Sequence, residues 1–185
     1  MTNHVLSIDL GSTRCKILIF DNKGNVISKD ERSYPLYMPK PGHVEEDPLQ
    51  WKSSVFNGIV SSLSKSGLSP SSIDAIVVTG QAISLTPIDN GGNPIRPAIL
   101  TFMDTRADDI KKKLISKYSM SYPEVAVFST LLWMREKEQQ IYRKMKNIVD
   151  ARNFVILLLT GEVTYDAVSI SPERMKFLSS EFNFS

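Results

Sequence analysis

A short polar turn between two apolar runs carries the clearest chemistry in this sequence. The runs cover residues 4–8 and 17–20, and they flank Asp9-Leu10-Gly11-Ser12-Thr13-Arg14-Cys15-Lys16. An acid, a glycine turn with hydroxyl groups and a following cation suit the phosphates of a magnesium nucleotide, because a polyphosphate needs donors near its oxygens and an anionic group near its metal. The same residue types also suit an ordinary hairpin, so the turn by itself leaves both interpretations open.

The first part of the chain predicts the elements that position this turn. We expect strands near residues 4–9, 14–20 and 25–34, with an Asn/Gly-rich turn at 21–25. A helix is expected after Asp47 and Pro48, because an acid suits the N-cap, proline suits the first helical position and apolar residues recur at helical spacing from Trp51 to Leu63. Gly67 ends it. A buried strand is expected over 73–78, and another strand over 83–88.

The second part of the chain predicts helices. Apolar residues share one helical face over 110–118 and another over 131–145, with a break in phase near Glu138. Asp150 is expected to cap a last helix that Gly161 ends. Strands that come early and helices that follow them predict a mixed α/β domain.

Composition excludes several classes of protein. The chain has 185 residues, a formal net charge of +2 and one cysteine, Cys15. This length suits one compact domain or one lobe of a larger protein. The basic residues at 143–146 lie near Glu136 and Glu138, so we expect a solvated helix face and no nucleic-acid partner. We also expect no signal segment, no membrane span and a cytoplasmic location, with no internal disulfide.

Two acidic segments invite a metal interpretation that we do not favour. Residues 89–93 resemble part of a calcium loop but lack its acidic spacing, so a hairpin turn is expected. His43, Glu45, Glu46 and Asp47 would have to converge on one cation, and a structural role is expected for them instead.

Several further motifs follow the polar turn in a fixed order. They are PGHVEEDP at 41–48 with Trp51 after it, VTGQ at 78–81, NPIRPAIL at 93–100, DTRA at 104–107, LLW at 131–133 and LTGE at 159–162. In order and spacing, the chain resembles the N-terminal domain of the FGGY carbohydrate kinases. These enzymes are ATP-dependent kinases of xylulose, gluconate, ribulose, glycerol and related polyols.

The resemblance implies an actin-like, RNase H-like α/β fold with a mixed β-sheet flanked by helices. It implies that residues 1–185 form the N-terminal, sugar-binding lobe, with the ATP-binding lobe outside this chain. ATP and Mg²⁺ are the implied cofactors. Asp9 then helps to hold the metal, Gly11, Ser12 and Thr13 face the phosphates, and Lys16 lies near the same site.

The resemblance also implies a sugar site at Gln81, Ala82, Asp104 and Arg106. Asp104 and Arg106 equally suit a local surface ion pair of little energetic value. The implied catalytic base is an aspartate beyond Ser185, so no catalytic residue is expected in this chain and the chain alone should turn over sugar negligibly. The implied partners are a sugar or sugar acid and ATP, with a homo-oligomer possible for the full-length protein.

Two departures from the family pattern bear on the substrate. Ala82-Ile83 replace the Met-His of xylulose and gluconate kinases and the Arg-Glu of glycerol kinases, and Ser129-Thr130 replace a frequent Pro-Lys. Glycerol is therefore disfavoured, and the departures either redirect the activity to a different sugar or abolish it. The DTRA motif at 104–107 favours a xylulose- or gluconate-like substrate. Two alternatives stay open: a sugar- or protein-binding module without chemistry, and a lobe of another actin-fold ATPase. Asp166 matches a further family acid of uncertain role.

Overall fold

The computed structural model describes residues 4–81, 83–118 and 120–165, together with residues 176 and 180. Its strands are β1 (His4–Leu10), β2 (Arg14–Phe20), β3 (Val26–Ser33), β4 (Glu45–Glu46), β5 (Ile73–Gly80), β6 (Ser84–Ile88), β7 (Ala98–Leu100) and β8 (Asn147–Val149). Its helices are α1 (Pro48–Ser66), α2 (Asp108–Lys117), α3 (Tyr122–Lys137), α4 (Gln139–Lys144) and α5 (Ala151–Thr160), and a short 3₁₀ turn at Pro70–Ser72 precedes β5.

The first sheet is mixed and has the strand order β3-β2-β1-β5. Strand β2 runs antiparallel to both β1 and β3, whereas β5 runs parallel to β1. Alternate residues of β1 and β2 are buried, and they form one core with α1 and α5. Because side chains alternate between the two faces of a strand, the other face of β1 and β2 is left partly exposed. The predicted mixed sheet flanked by helices is confirmed.

Helix α1 lies on the core face of this sheet as its sequence predicts. The Asp47 carboxylate accepts from the Leu49 N–H at 2.9 Å, Pro48 opens the helix, and Gly67 ends it with a φ of 68°. Gly58 brings the helix close to β2, because a Cβ at this position would lie 2.7 Å from Cγ1 of Ile17.

The second sheet is antiparallel and has the order β4-β7-β6-β8. Every residue of its central strand β6 is buried. Strands β7 and β8 have three residues each and were not predicted, because so short a run shows no periodicity. Helix α5 begins beside this sheet, where the Ala151 N–H donates to Ser84 Oγ at 2.9 Å.

The prediction that residues 73–78 form a buried strand is wrong in one respect. Strand β5 exists, but Ile76 and Val77 are 47% and 53% exposed. An apolar run of this kind is typical of a strand covered on both sides. Among the described elements, however, β5 pairs with β1 alone and so lies at the edge of the sheet.

The other predictions of helices and turns agree with the structure. Ile110 and Tyr118 pack beside buried Leu114 in a small second core, and Glu138 separates α3 from α4. Residues 21–25 and 89–93 form turns in which Asp21 and Asp89 accept from backbone N–H groups of their own turn.

No helix in the described part of the chain has the length and apolar character needed to cross a membrane.

Candidate functional site

The candidate site lies where the parallel strands β1 and β5 end side by side. Leu10 pairs with Gly80, and the Gln81 N–H donates to the Leu10 carbonyl at 2.8 Å. A Cβ on Gly80 would stand 2.8 Å from that carbonyl oxygen, so the close approach requires glycine. The carboxyl ends of parallel strands are where open α/β sheets bind ligands.

The polar turn between β1 and β2 is held from one side and open on the other. The Gly11 N–H donates to the Arg14 carbonyl at 2.9 Å. Tyr34 donates its hydroxyl to the Gly11 carbonyl and its backbone N–H to the Thr13 carbonyl. Burial raises the pKa of Tyr34, and the charge of Glu46 raises it further, so this hydroxyl stays a neutral donor. Thr13 is exposed at the tip of the turn.

Asp9 and Lys16 lie opposite each other in the β1–β2 register. Both are partly exposed, whereas Leu10 and Cys15 next to them are fully buried. The acid and the cation therefore share the sheet face that points away from the core. The structure brings together Asp9, the turn and Lys16, which the sequence analysis grouped, and it places Gln81 beside them through the bond to Leu10.

Glu46 joins this group although sequence reasoning gave it only a structural role. Its Oε2 atom accepts from Gln81 Nε2 and from Trp51 Nε1, each at 2.7 Å. Glu46 is fully buried, and burial raises its pKa to about 7 despite these two donors. Sequence reasoning missed this hydrogen bond because its two residues are 35 positions apart and no local pattern connects them.

The other polar residues of the segment 43–47 each contact a separate partner. Glu45 pairs with Arg96 and Arg106, Asp47 caps α1, and the His43 ring packs edge-on against Trp133 with centroids 5.8 Å apart. The structural role predicted for these residues is confirmed by these contacts. Within the described ranges, no group of three or more acidic, histidine or cysteine side chains is arranged to hold a metal ion.

Asp104 and Arg106 form an ion pair that is buried, not a surface pair. Their side chains are 2% and 1% exposed, and Arg106 Nη2 lies 2.8 Å from Asp104 Oδ2. Arg106 also lies 2.8 Å from Glu45 and stacks over the Trp133 ring. Asp104 accepts from the Val44 N–H at 2.7 Å. The pair therefore contacts Val44 and Glu45, at the start of β4. The next residue of β4, Glu46, is the one that binds Gln81.

The backbone of Ile83, directly before β6, takes an unusual conformation. Ile83 has a φ of 51°, and no other non-glycine residue in the described part of the chain has a positive φ. A β-branched residue there stores strain on the order of 1–3 kcal/mol. Thr101 holds the conformation by donating its N–H and its hydroxyl to the Ile83 carbonyl at 3.2 and 2.5 Å. Ala82 and Asp166 lie outside the described residues.

A surface cleft of about 500 Å³ lies elsewhere, beside the Arg96 ion pairs. Its walls are formed by Pro39, Lys40, His43, Glu45, Arg96, Trp133, Lys137 and Glu138. None of the residues expected to bind phosphate, metal or sugar lines it. The candidate site is therefore assigned to the strand ends and not to this cleft.

Comparison with known proteins identifies the family of this chain. The family model for the N-terminal domain of the FGGY family of carbohydrate kinases matches residues 4–181. The chain belongs to this family. The motifs that suggested the resemblance all lie within the matched residues, and the fold is the actin-like, RNase H-like fold of these kinases.

Individual relatives include kinases of two different substrates. A xylulose kinase of Staphylococcus xylosus is 29% identical over 191 residues, which cover 98% of this chain and 39% of the relative. A glycerol kinase of Thermococcus gammatolerans is 36% identical over 100 residues, or 54% of this chain and 20% of the relative. The crystal structure of a xylulose kinase from Rhodospirillum rubrum has a TM-score of 0.78 at 23% identity, covering 90% of this chain and 36% of that one. The chain thus spans less than two fifths of the length of these relatives.

Proposed function

We propose that this chain forms the sugar- and phosphate-facing lobe of an ATP-dependent carbohydrate kinase. The reaction would transfer the γ-phosphoryl group of ATP to a hydroxyl of a sugar or sugar acid. One observation carries the proposal: the backbone N–H of Gln81 donates to the Leu10 carbonyl, directly before the turn at 11–13. Gln81, whose side-chain amide suits a hydroxyl group, therefore lies beside that turn. Acceptor and phosphoryl donor can then meet at one edge of the sheet.

The residues of the turn fit a magnesium nucleotide. Mg²⁺ takes one or two protein carboxylates together with substrate phosphates, and Asp9 is a partly exposed carboxylate beside the turn. Bound Mg-ATP would supply the phosphoryl group. Gly11 forms the turn, Ser12 and Thr13 present backbone and hydroxyl donors to the phosphates, and Lys16 adds a positive charge on the face that carries Asp9. Such groups stabilise the charge that develops during phosphoryl transfer.

The sugar side of the proposed site centres on Gln81 and the neighbouring Ala82. Asp104 and Arg106 contribute to this side indirectly, because they hold the start of β4 and Glu46 of β4 binds Gln81. The DTRA motif at 104–107 supports a xylulose- or gluconate-like substrate, whereas Ala82-Ile83 match neither the Met-His of xylulose and gluconate kinases nor the Arg-Glu of glycerol kinases. The relatives include kinases of both xylulose and glycerol, so a panel of sugars must decide.

The catalytic base and the adenine site are proposed to belong to a second lobe outside this chain. The chain alone should then turn over sugar negligibly. The full-length protein is proposed to act in the cytoplasm, a reducing compartment that suits the one free thiol. It is further proposed to have no nucleic-acid or membrane partner, and a homo-oligomer is possible for it.

The test is ATP-dependent phosphorylation by the full-length protein with xylulose, gluconate, ribulose and glycerol. Asp9→Asn and Gln81→Leu should each lower kcat/KM at least about a hundredfold. Asp109→Asn is the matched control, because Asp109 is 93% exposed on α2. Sugar-independent ATP hydrolysis would instead indicate another actin-fold ATPase, and sugar binding without turnover would indicate a binding module.

A further inference from the structure

We infer that Glu46 is a positioning residue that fixes the Gln81 amide, so that the site accepts a hydroxyl group there and rejects an oxygen that cannot donate. The inference rests on the proposed function, because it takes Gln81 to meet the sugar. It adds a residue and a rule of specificity: the substrate atom facing Gln81 must carry a proton that it can donate.

The first step is the identity of the shared atom. Glu46 Oε2 receives Trp51 Nε1 and Gln81 Nε2, both at 2.7 Å. An indole nitrogen can only donate, and an ionised carboxylate can only accept. When Glu46 is ionised, Gln81 must therefore turn its NH₂ group towards Oε2, which leaves its carbonyl Oε1 for a ligand. The carboxylate thus determines which end of the amide is presented, and the assays are run at about pH 8, above the Glu46 pKa of about 7.

The second step is the rigidity of this arrangement. Trp51 and Glu46 are fully buried, and Trp51 lies in the first turns of α1 with its ring against Phe154. Gln81 is held at both ends, by its backbone N–H on Leu10 and by its side chain on Glu46. An amide fixed in advance loses little freedom when a ligand binds, which favours affinity and selectivity.

The third step is the unmet bonding capacity of the pair. Gln81 Oε1 and Glu46 Oε1 are buried, and no hydrogen-bond partner for either atom is found among the described residues. A buried carbonyl without a donor is unfavourable, and a ligand O–H would satisfy it. A ketone or an ionised carboxylate at the same place offers no proton and would leave the carbonyl unpaired. The pair therefore favours an alcohol.

The experiment compares the full-length protein with its Glu46→Leu and Glu46→Gln variants. The substrate is whichever of xylulose, gluconate, ribulose and glycerol has the highest kcat/KM, together with its monodeoxy analogues. In the unmodified protein, one deoxy analogue should lose roughly a hundredfold in kcat/KM or more. Glu46→Leu should reduce that ratio to within about threefold of unity, and Glu46→Gln, which keeps an acceptor oxygen, should retain it.

A second readout does not depend on turnover. In the nitrogen–proton NMR spectrum of the full-length protein, the indole N–H signal of Trp51 is identified as the one that a Trp51→Phe variant lacks. Adding the same sugar should shift the Trp51 signal through Gln81 and Glu46. The shift should be absent in Gln81→Leu.

The outcomes separate the two proposals. If sugars are phosphorylated but Glu46→Leu lowers kcat/KM equally for every analogue, Glu46 has a structural role only and this inference is wrong while the proposed function stands. An unchanged Trp51 signal at saturating sugar has the same meaning. If no sugar of the panel is phosphorylated or bound, both proposals are overturned.

Discussion

At the scale of single residues, Glu46 shows how burial sets the behaviour of an acid. A buried carboxylate usually has a cationic partner, yet Glu46 has two neutral N–H donors. These donors do not offset the loss of solvent, and burial raises its pKa from 4.5 to about 7. The free energy of unfolding must therefore depend on the protonation of this one side chain.

The sign of that dependence follows from the raised pKa. Between pH 4.5 and about 7 the folded chain holds a proton on Glu46 that the unfolded chain has released. Stability from this group is complete below 4.5 and falls by up to about 1.4 kcal/mol per pH unit as the pH rises towards 7. The Glu46→Gln variant has no ionisable group at this position and does not lose stability in this way. The free energy of unfolding in urea should be measured for both proteins between about pH 5 and pH 8. The value for the variant, relative to that for the parent chain, should increase up to about pH 7 and stay constant above it.

A comparison of two proteins is needed because His43 acts in the opposite direction. Burial lowers the pKa of His43, so its contribution to stability increases as the pH rises. Both proteins contain His43, and its effect cancels in the difference. A difference that stays constant with pH would contradict the raised pKa of Glu46.

Gly80 is a second residue whose replacement has a definite outcome. Gly80→Ala puts a methyl group 2.8 Å from the Leu10 carbonyl oxygen, and neither backbone can move independently of the sheet. We expect a loss of about 1–3 kcal/mol in the free energy of unfolding. Gly11→Ala is the control, because its Cβ would lie 3.4 Å from the nearest atom. Equal losses in urea unfolding of the two variants would show that the strand ends are looser than described.

At the scale of elements, Asp30 joins β3 to α1. Its carboxylate is 7% exposed and accepts from Lys65 at 2.6 Å, Arg32 at 2.7 Å and Ser61 at 2.8 Å. Burial alone would raise the pKa of Asp30, but these hydrogen bonds outweigh it and lower the pKa to about 2. The ionised form therefore stabilises the packing of the helix on the sheet.

Asp30→Asn should weaken that packing by roughly 1–3 kcal/mol at neutral pH. The contribution of Asp30 is complete above its ordinary pKa of 3.8 and is lost as the pH falls towards 2, so the variant should show a shallower loss of stability in acid. Unfolding monitored by circular dichroism between about pH 2 and pH 7 checks this. Asp109→Asn, at an exposed position, should follow the parent chain; if it matched Asp30→Asn, the loss would reflect net charge alone.

Local chemistry explains which elements and which site residues were predictable. The turn at 21–25 and helix α1 follow from Asn/Gly content, the Asp47 cap and the apolar stripe, all within a few residues. The edge position of β5 and the three-residue strands β7 and β8 depend on partners far along the chain. The same division holds in the site: Asp9 and Lys16 are close in sequence and were expected together, whereas the Glu46–Gln81 bond and the left-handed Ile83 were not foreseen.

At the scale of the whole molecule, a buried ion-pair cluster links the second sheet to α3. Glu45 of β4 binds Arg96 and Arg106, and Arg96 also binds Glu138 at the end of α3 at 2.8 Å. The side chains of Arg96 and Arg106 are 8% and 1% exposed, so salt in the solvent screens these pairs weakly. The cluster keeps β4, and hence Glu46, in place.

Glu45→Gln should therefore affect more than one element. Two buried guanidinium groups lose a shared anion but keep Glu138 and Asp104, so we expect a loss of about 2–3 kcal/mol that changes little with salt. Hydrogen exchange should increase in both β4 and α3. The control is Asp108→Asn, which removes a partly exposed pair with Lys111 and should cost less than about 0.5 kcal/mol. Exchange that increases in β4 alone would show that the cluster does not connect the two elements.

The buried thiol of Cys15 allows the opening of the polar turn at 11–13 to be measured as a rate. Cys15 is the one cysteine of the chain, it is fully buried just after the turn, and burial raises its pKa to about 12. A thiol reagent can modify it only when β2 leaves the core. The labelling rate therefore measures how often this end of the sheet opens, and Mg-ATP should slow that rate if it holds the turn closed.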